Sequence, residues 1–363
     1  MDGRCLTNDE KAIFDLRELY SKYGYIQYKM SKFEEYDLYV RNKNFLVSDN
    51  IITFTDTDGK LMALKPDVTL SIVKNMKDTE ALQKVYYNEN VYRVSKGTLS
   101  FKEIMQVGLE CIGDVDEYTI YEVMMLACES LAKISDEYVL DISHMGITSK
   151  VMKELNLPND AEKKILKCIS EKNSHGLCRI EKEYNTDLGK IKKMIDTYGT
   201  LSDVEPFLRT LDCKDETDEI IKIMTYFEKN GYKINFDFSI ISDINYYNGF
   251  VFKGFINGIF SCVLSGGQYD NLMRKMKKSQ KAIGFAVYLD MLEMLSHDTD
   301  DYDVDVVIVY DDKADIGAIN EAVRLLSANG NSVTAQKAIP EKLRYRQLVR
   351  LWERGVQIIE NNA

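Results

Sequence analysis

Gln106, Gly108 and Glu110 occupy alternate positions in a stretch of otherwise apolar residues. In an extended strand alternate side chains share a face. An amide and a carboxylate would then flank a glycine, leaving a floor with room above it for a small molecule. Phe101, Met105, Val107, Leu109 and Cys111 take the opposite face and suit a core. A solvated strand face explains the polar row about equally well. Asp67 and Thr69 follow Leu64-Lys65-Pro66 at a strand-to-helix turn, where capping the helix is the ordinary role of both residue types. Arg93 ends a strand, and its ordinary reading is a surface arginine in an ion pair. Tyr246-Tyr247-Asn248-Gly249 precedes a strand, and Gly266-Gly267-Gln268-Tyr269-Asp270 follows one. A glycine pair at a strand end permits close backbone approach to a ligand or to another strand. The alternative there is a tight turn with aromatic packing.

Other chemistries lack their residues. There is no phosphate loop, no G-x-G-x-x-G and no nucleophile elbow. The three histidines, 144, 175 and 297, are far apart, and His144 has no base or nucleophile partner nearby in sequence. The seven cysteines are odd in number, widely spaced and without a Cys-x-x-Cys, which predicts free thiols in a reducing cytoplasm and no zinc site. No cofactor or metal is expected. The chain of 363 residues carries 47 Lys and Arg against 58 Asp and Glu, a net charge of −11. Such an acidic chain is poorly suited to gripping a nucleic acid over a broad surface. No apolar run reaches the length of a membrane span, and the polar start predicts no secretory leader.

The elements that must position these residues are legible as periodicities. Residues 9–23 have helical spacing, and residues 25–30 read as a strand. Residues 45–55 and 60–64 read as a hairpin turning at Asp58-Gly59. A helix opens at Pro66 and Asp67 and runs to about residue 75. Strands over 85–94 and 99–112 flank a short glycine-containing turn; a helix over 117–133 and a strand over 138–142, ending at His144, follow. Residues 148–231 are rich in Lys, Glu, Asp and Leu at helical spacing. Strands return at 235–241, 249–256 and 259–264, and a helix is expected over about 284–296. Past an acidic linker, residues 304–310, 314–328 and 332–335 read as strand, helix and strand. The reading is an α+β protein with a core over 1–147 and 233–297, a helical insert over 148–232 and a small α/β unit over 298–363.

The candidate residues also occur in a fixed order. Leu64-Lys65-Pro66-Asp67-Val68-Thr69 resembles the substrate-binding segment of histidyl-tRNA synthetases. Val91-Tyr92-Arg93 and Gln106-Val107-Gly108-Leu109-Glu110 resemble the class II motif 2 hairpin and the histidine-binding strand after it. Asn245-Tyr246-Tyr247-Asn248-Gly249 resembles the histidyl-specific tyrosine segment. Ser265-Gly266-Gly267-Gln268-Tyr269-Asp270 and Ala282-Ile283-Gly284-Phe285-Ala286 resemble the approach to motif 3. The resemblance spans about residues 8–295 and implies a class II synthetase-like antiparallel sheet with flanking helices.

The departures from that pattern concern catalysis. The motif 3 arginine that holds ATP phosphate is Met291 here, and a second arginine before the tyrosine pair is Ser242. The motif 2 loop is cut short, and Ser31 stands at the motif 1 proline position. A preorganised cation at a developing phosphoryl charge contributes about 3 or 4 kcal/mol, so losing two should make amino-acid activation negligible. Lys65 stands where arginine is usual. The whole pattern, with Asp141-Ile142-Ser143-His144-Met145-Gly146, resembles the ATP phosphoribosyltransferase regulatory subunits. That resemblance implies a non-catalytic cytoplasmic partner of the short-form catalytic subunit, forming a hetero-oligomer with it, dimerising through the first helix and adjacent strand, and linked to feedback by histidine. It implies a histidine site made of Asp67, Thr69, Arg93, Gln106, Glu110, Tyr247 and Tyr269. A divergent histidyl-tRNA synthetase and a stand-alone histidine sensor are the alternatives.

Overall fold

A computed structural model of the chain describes residues 7–42, 51–77, 79, 81–94, 100–241, 246–294, 302–339, 342–352 and 355–362. The first part of the chain forms α1 (Asn8–Lys22), β1 (Ile26–Gln27), β2 (Phe33–Glu35), α2 (Tyr36–Arg41), β3 (Thr53–Thr55), β4 (Leu61–Leu64) and α3 (Thr69–Asn75). Next come β5 (Gln83–Val94), β6 (Phe101–Gly113), α4 (Glu117–Ile134) and β7 (Tyr138–His144). The helical segment is α5 (Met145–Glu154), α6 (Asn159–Ser170), α7 (Ser174–Tyr184), α8 (Gly189–Asp196), a short β8 (Tyr198–Gly199), α9 (Leu201–Leu208) and α10 (Lys214–Lys229). The sheet resumes with β9 (Ile234–Asp237), β10 (Phe250–Ile256), β11 (Leu264–Gln268), α11 (Asp270–Lys275) and β12 (Lys281–Tyr288), followed by a 3₁₀ turn, Leu289–Met294. The last part is β13 (Val304–Val309), α12 (Ile316–Ala328), β14 (Val333–Gln336), β15 (Tyr345–Trp352) and β16 (Gly355–Asn361).

Nine strands make one sheet in the order β1-β5-β6-β12-β11-β10-β7-β9-β8, antiparallel except for the β1–β5 and β7–β9 pairs. A separate antiparallel sheet, β2-β4-β3, sits beside it in sequence. Local chemistry fixes these elements. Glu10 and Thr7 form a capping box at the start of α1, with the Thr7 amide donating to Glu10 Oε2 at 3.0 Å. Asp116 caps α4 by accepting from the Thr119 amide at 2.8 Å. The β3–β4 hairpin turns where Asp56 Oδ1 accepts from the Asp58 and Lys60 amides, and Gly59 takes φ +80°.

The main sheet is covered on both faces. On one, Leu16, Leu19 and Tyr20 of α1 and Val123, Ala127 and Leu131 of α4 pack against Val107, Leu109, Phe285 and Val287. On the other, Leu70, Ile72 and Val73 of α3 and Leu272 and Met273 near the end of the sheet pack with Tyr87, Ile112, Tyr246 and Tyr269. The six helices α5–α10 bury Ile165, Ile191, Met224 and Phe227 in continuity with the first of these cores. The chain divides by compactness near residues 295 and 296. In the C-terminal unit, a four-stranded sheet in the order β14-β13-β15-β16 carries α12 on one face, where Ala322, Val323 and Leu326 meet Val306, Ile308 and Val349.

Three expectations are corrected. Residues 284–296 were expected to be a helix. Residues Lys281–Tyr288 instead form β12, because Ile283, Phe285 and Val287 alternate into the core while Gly284 and Ala286 let β12 lie close between β6 and β11. The strand expected over 259–264 lies later, at Leu264–Gln268, so Gly266-Gly267 is inside a strand and not beyond its end. A Cβ at Gly266 would sit 2.4 Å from Phe285 Cβ, so the glycine serves strand-to-strand contact. The strand expected over 25–30 is only Ile26–Gln27. Two C-terminal strands, β15 and β16, had no counterpart in the sequence reading.

Candidate functional site

The β6 alternation places Gln106, Gly108 and Glu110 on one face, as expected, but that face is not solvated: Gln106 and Glu110 are 4% and 2% exposed. Glu110 is the hub. Thr69 Oγ1, in the first turn of α3, donates to Glu110 Oε1 at 2.7 Å. Tyr269 Oη, at the β11–α11 junction, donates to Glu110 Oε2 at 2.6 Å. Across the sheet Glu110 pairs with Gly284 of β12, where a Cβ would lie 1.8 Å from Glu110 Oε2. A glycine is required there for the carboxyl group to lie flat on the neighbouring strand.

Burial pushes the Glu110 carboxyl up to about 8; its bonds to Tyr269 and Thr69 pull against that rise, and nearby Asp67 adds to it. At neutral pH the group is therefore held mainly as a neutral acid that also has hydrogen-bond capacity to give. The sign for stability follows. With the folded-state value raised above the usual carboxylate range, the favourable contribution is present below about pH 4.5 and is lost as pH rises through about 8. In ¹³C NMR of the free protein the Glu110 carboxyl resonance should titrate with a midpoint near 8, and Thr69→Val, which removes a donor to the carboxylate, should move that midpoint higher. A midpoint in the ordinary carboxylate range would mean that water reaches Glu110.

Asp67 caps α3, accepting from the Leu70 amide at 2.8 Å, so the ordinary role holds. It also faces the site, where burial raises its carboxyl above the usual range while the Leu70 amide and Arg93 oppose the rise. Arg93 is half-buried and is not a surface ion pair of the expected kind: its Nε donates to the Pro66 carbonyl at 3.1 Å, tying the end of β5 to the segment that carries Asp67. Tyr247 and Tyr269 line the same space through Tyr246, whose ring centroid lies 4.5 Å from that of Tyr247 and 5.9 Å from that of Tyr269. All seven predicted residues thus belong to one face of the sheet and the segments that cover it.

One expectation about this floor is corrected. The space above Gly108 is not open, because a Cβ there would meet Tyr87 Oη at 2.4 Å and the Phe285 carbonyl oxygen at 2.3 Å. The buried Tyr87 phenol paves the floor. Sequence reasoning noted Lys65 only as a departure from arginine; it is fully buried with its Nζ 2.8 Å from Glu89 Oε2, and Tyr288 was passed over. Burial lowers the Lys65 ammonium below its ordinary value against the pull of Glu89.

Of the catalytic departures, Met291 lies in the 3₁₀ turn after β12 and packs against the apolar core. Ser242, Asn245 and the shortened turn over 95–99 lie outside the described residues. His144 places Nε2 3.5 Å from Glu219, stacks edge-on against Phe250, and leaves Nδ1 without a hydrogen-bond partner. A separate cleft of about 470 Å³ lies where the starts of α4 and α10 meet Gln268 and Lys281; it contains none of the seven residues. Among the described residues no group of three or more side chains could hold a metal ion, the six cysteines are free thiols, and no helix is long and apolar enough to cross a membrane.

A mostly antiparallel sheet flanked by helices, with a buried polar cluster around Glu110 on the face opposite α1 and α4, defines a class II aminoacyl-tRNA synthetase-like protein. The histidyl-tRNA synthetase family model matches residues 6–292, and the chain belongs to that family. An ATP phosphoribosyltransferase regulatory subunit from Clostridium kluyveri is 27% identical over 317 residues, 81% of each chain. Among solved structures, an ATP phosphoribosyltransferase regulatory subunit/histidyl-tRNA synthetase from Bacillus halodurans superposes with a TM-score of 0.73 at 23% identity, covering 91% of this chain and 88% of that one. The ATP phosphoribosyl transferase (HisG:HisZ) complex from Thermotoga maritima contains a chain that matches with a TM-score of 0.64 at 20% identity, covering 79% of this chain and 97% of that one.

Proposed function

We propose that this chain is the regulatory subunit of ATP phosphoribosyltransferase, acting with a short-form catalytic subunit in the first step of histidine biosynthesis. It keeps a histidine pocket and has lost synthetase catalysis. The observation that carries this reading is the pairing of a buried, doubly hydrogen-bonded Glu110 with an apolar Met291 at the position of a phosphate-binding cation. Asp67, Thr69 and Gln106 hold the amino and backbone end of histidine. Glu110 and Tyr247 face the imidazole, Tyr269 completes the wall, and Arg93 receives the carboxylate. Charge-assisted hydrogen bonds of this kind are the strong ones. Regulation then requires histidine to bind one state of the assembly more tightly than another.

The protein works in the cytoplasm as a hetero-oligomer, with no cofactor of its own and no contact with nucleic acid. Self-association through α1 and β1 is supported by Phe14 on α1 and Ile26 on the edge strand β1, which are 56% and 73% exposed. Mixing the chain with a short-form catalytic subunit should give phosphoribosyl-ATP synthesis that neither protein shows alone, and histidine should lower that rate. Histidine-dependent pyrophosphate exchange by the isolated chain would instead make it a synthetase. Histidine binding with no effect on any catalytic subunit would make it a stand-alone sensor.

A further inference from the structure

Three successive β12 positions on the site face grow along the strand: Gly284 opposite Glu110, Ala286 opposite Gly108, Tyr288 opposite Gln106. The first two leave Glu110 and Tyr87 to shape the floor; the third adds a whole phenol. Its surroundings locate that phenol. Ser265 of β11 pairs with Ala286, the next position on the same face, and Arg93 lies on that face of β5 beyond the Gln106–Glu89 pair. Arg93 at the end of β5 holds the Pro66 carbonyl beside Asp67, so Tyr288 stands at the end of the polar row nearest those two segments.

We infer that Tyr288 is a specificity-determining end wall: it limits the site to an amino acid with a free carboxylate and excludes one extended through its carboxyl group. The inference rests on the histidine pocket proposed above, in which Arg93 receives the carboxylate. A free carboxylate ends at Arg93. An amide, ester or acyl-phosphate extension would have to pass through the volume of the Tyr288 ring, and overfilling a packed site costs about 1–3 kcal/mol, or about ten- to a hundredfold in affinity. The role is geometric, so Tyr288→Phe should keep the exclusion and Tyr288→Ala should lose it.

Calorimetry on the full chain tests this with L-histidine, L-histidine benzylamide and 5′-O-(N-L-histidylsulfamoyl)adenosine. Wild type and Tyr288→Phe should bind histidine and bind both extended ligands about a hundredfold more weakly. Tyr288→Ala and Tyr288→Leu should recover about tenfold or more for the extended ligands relative to histidine. The wild-type ligand series stands whether or not the variants fold. Extended ligands that bind wild type as well as histidine does overturn the wall, as does exclusion unchanged in a folded Tyr288→Ala. A wild-type chain that binds no histidine refutes the pocket itself and takes this inference with it.

Discussion

Glu110→Ala should bind histidine up to about a hundredfold more weakly than wild type in calorimetry, because leaving buried hydrogen-bonding groups unsatisfied costs about 1–3 kcal/mol. The loss has two parts. The ligand forfeits its carboxyl partner, and the Thr69 and Tyr269 hydroxyls, both now aimed at Glu110, are left without an acceptor. Asp67 cannot substitute, since it serves the amino end of the ligand and caps α3 through the Leu70 amide. Equal affinity in the two proteins would remove Glu110 from the site. The pH dependence adds a separate check. If the carboxyl must ionise to meet a cationic or N–H group of the ligand, affinity should rise with pH up to about 8 and level off above it. Between pH 7 and 8 free imidazole is already mostly neutral, so that part of the slope belongs to Glu110 and should vanish in the variant.

Gly284→Ala should be the most damaging single-methyl change in the site. The added Cβ would lie 1.8 Å from Glu110 Oε2 and 2.5 Å from the Leu109 carbonyl oxygen. The first contact could be relieved by moving a side chain, at the expense of its bonds to Thr69 and Tyr269. The second involves backbone in the centre of the sheet, which can yield only by parting β6 from β12. Overpacking of this kind costs about 2–3 kcal/mol and should lower the melting temperature by about 5 °C or more. Unchanged melting together with intact histidine binding would mean that β12 is not pressed against β6 as described.

How far the sequence reveals this site depends on which face of which strand a residue occupies. The β6 row was readable because thirteen consecutive strand residues, Phe101–Gly113, give alternation time to declare itself. The tyrosines at 247 and 269 were found through motif order; their packing through Tyr246 is a tertiary fact with no local signature. Tyr288 was missed for a definite reason. The Leu-, Met- and Glu-containing stretch after it has helical composition, and it does turn, as a 3₁₀ segment over Leu289–Met294. Extending that helix backwards over β12 hid the alternation of Gly284, Ala286 and Tyr288. Tyr87 was missed because a glycine reads as empty space in one dimension, whereas here the neighbouring strand fills it. The β15–β16 pair went unread because Arg346, Gln347, Arg350 and Glu360 break the apolar rhythm.

The two donors that fix Glu110 come from 41 residues before it and 159 residues after it, on either side of the helical segment. No fragment that stops short of either donor can own a finished binding site, and long loops must close before both arrive. A ligand that recognises only the finished site stabilises the entire arrangement by mass action. Under the proposed histidine site, ligand binding and completion of the fold would be one equilibrium: histidine would register only those molecules whose distant ends have already found each other.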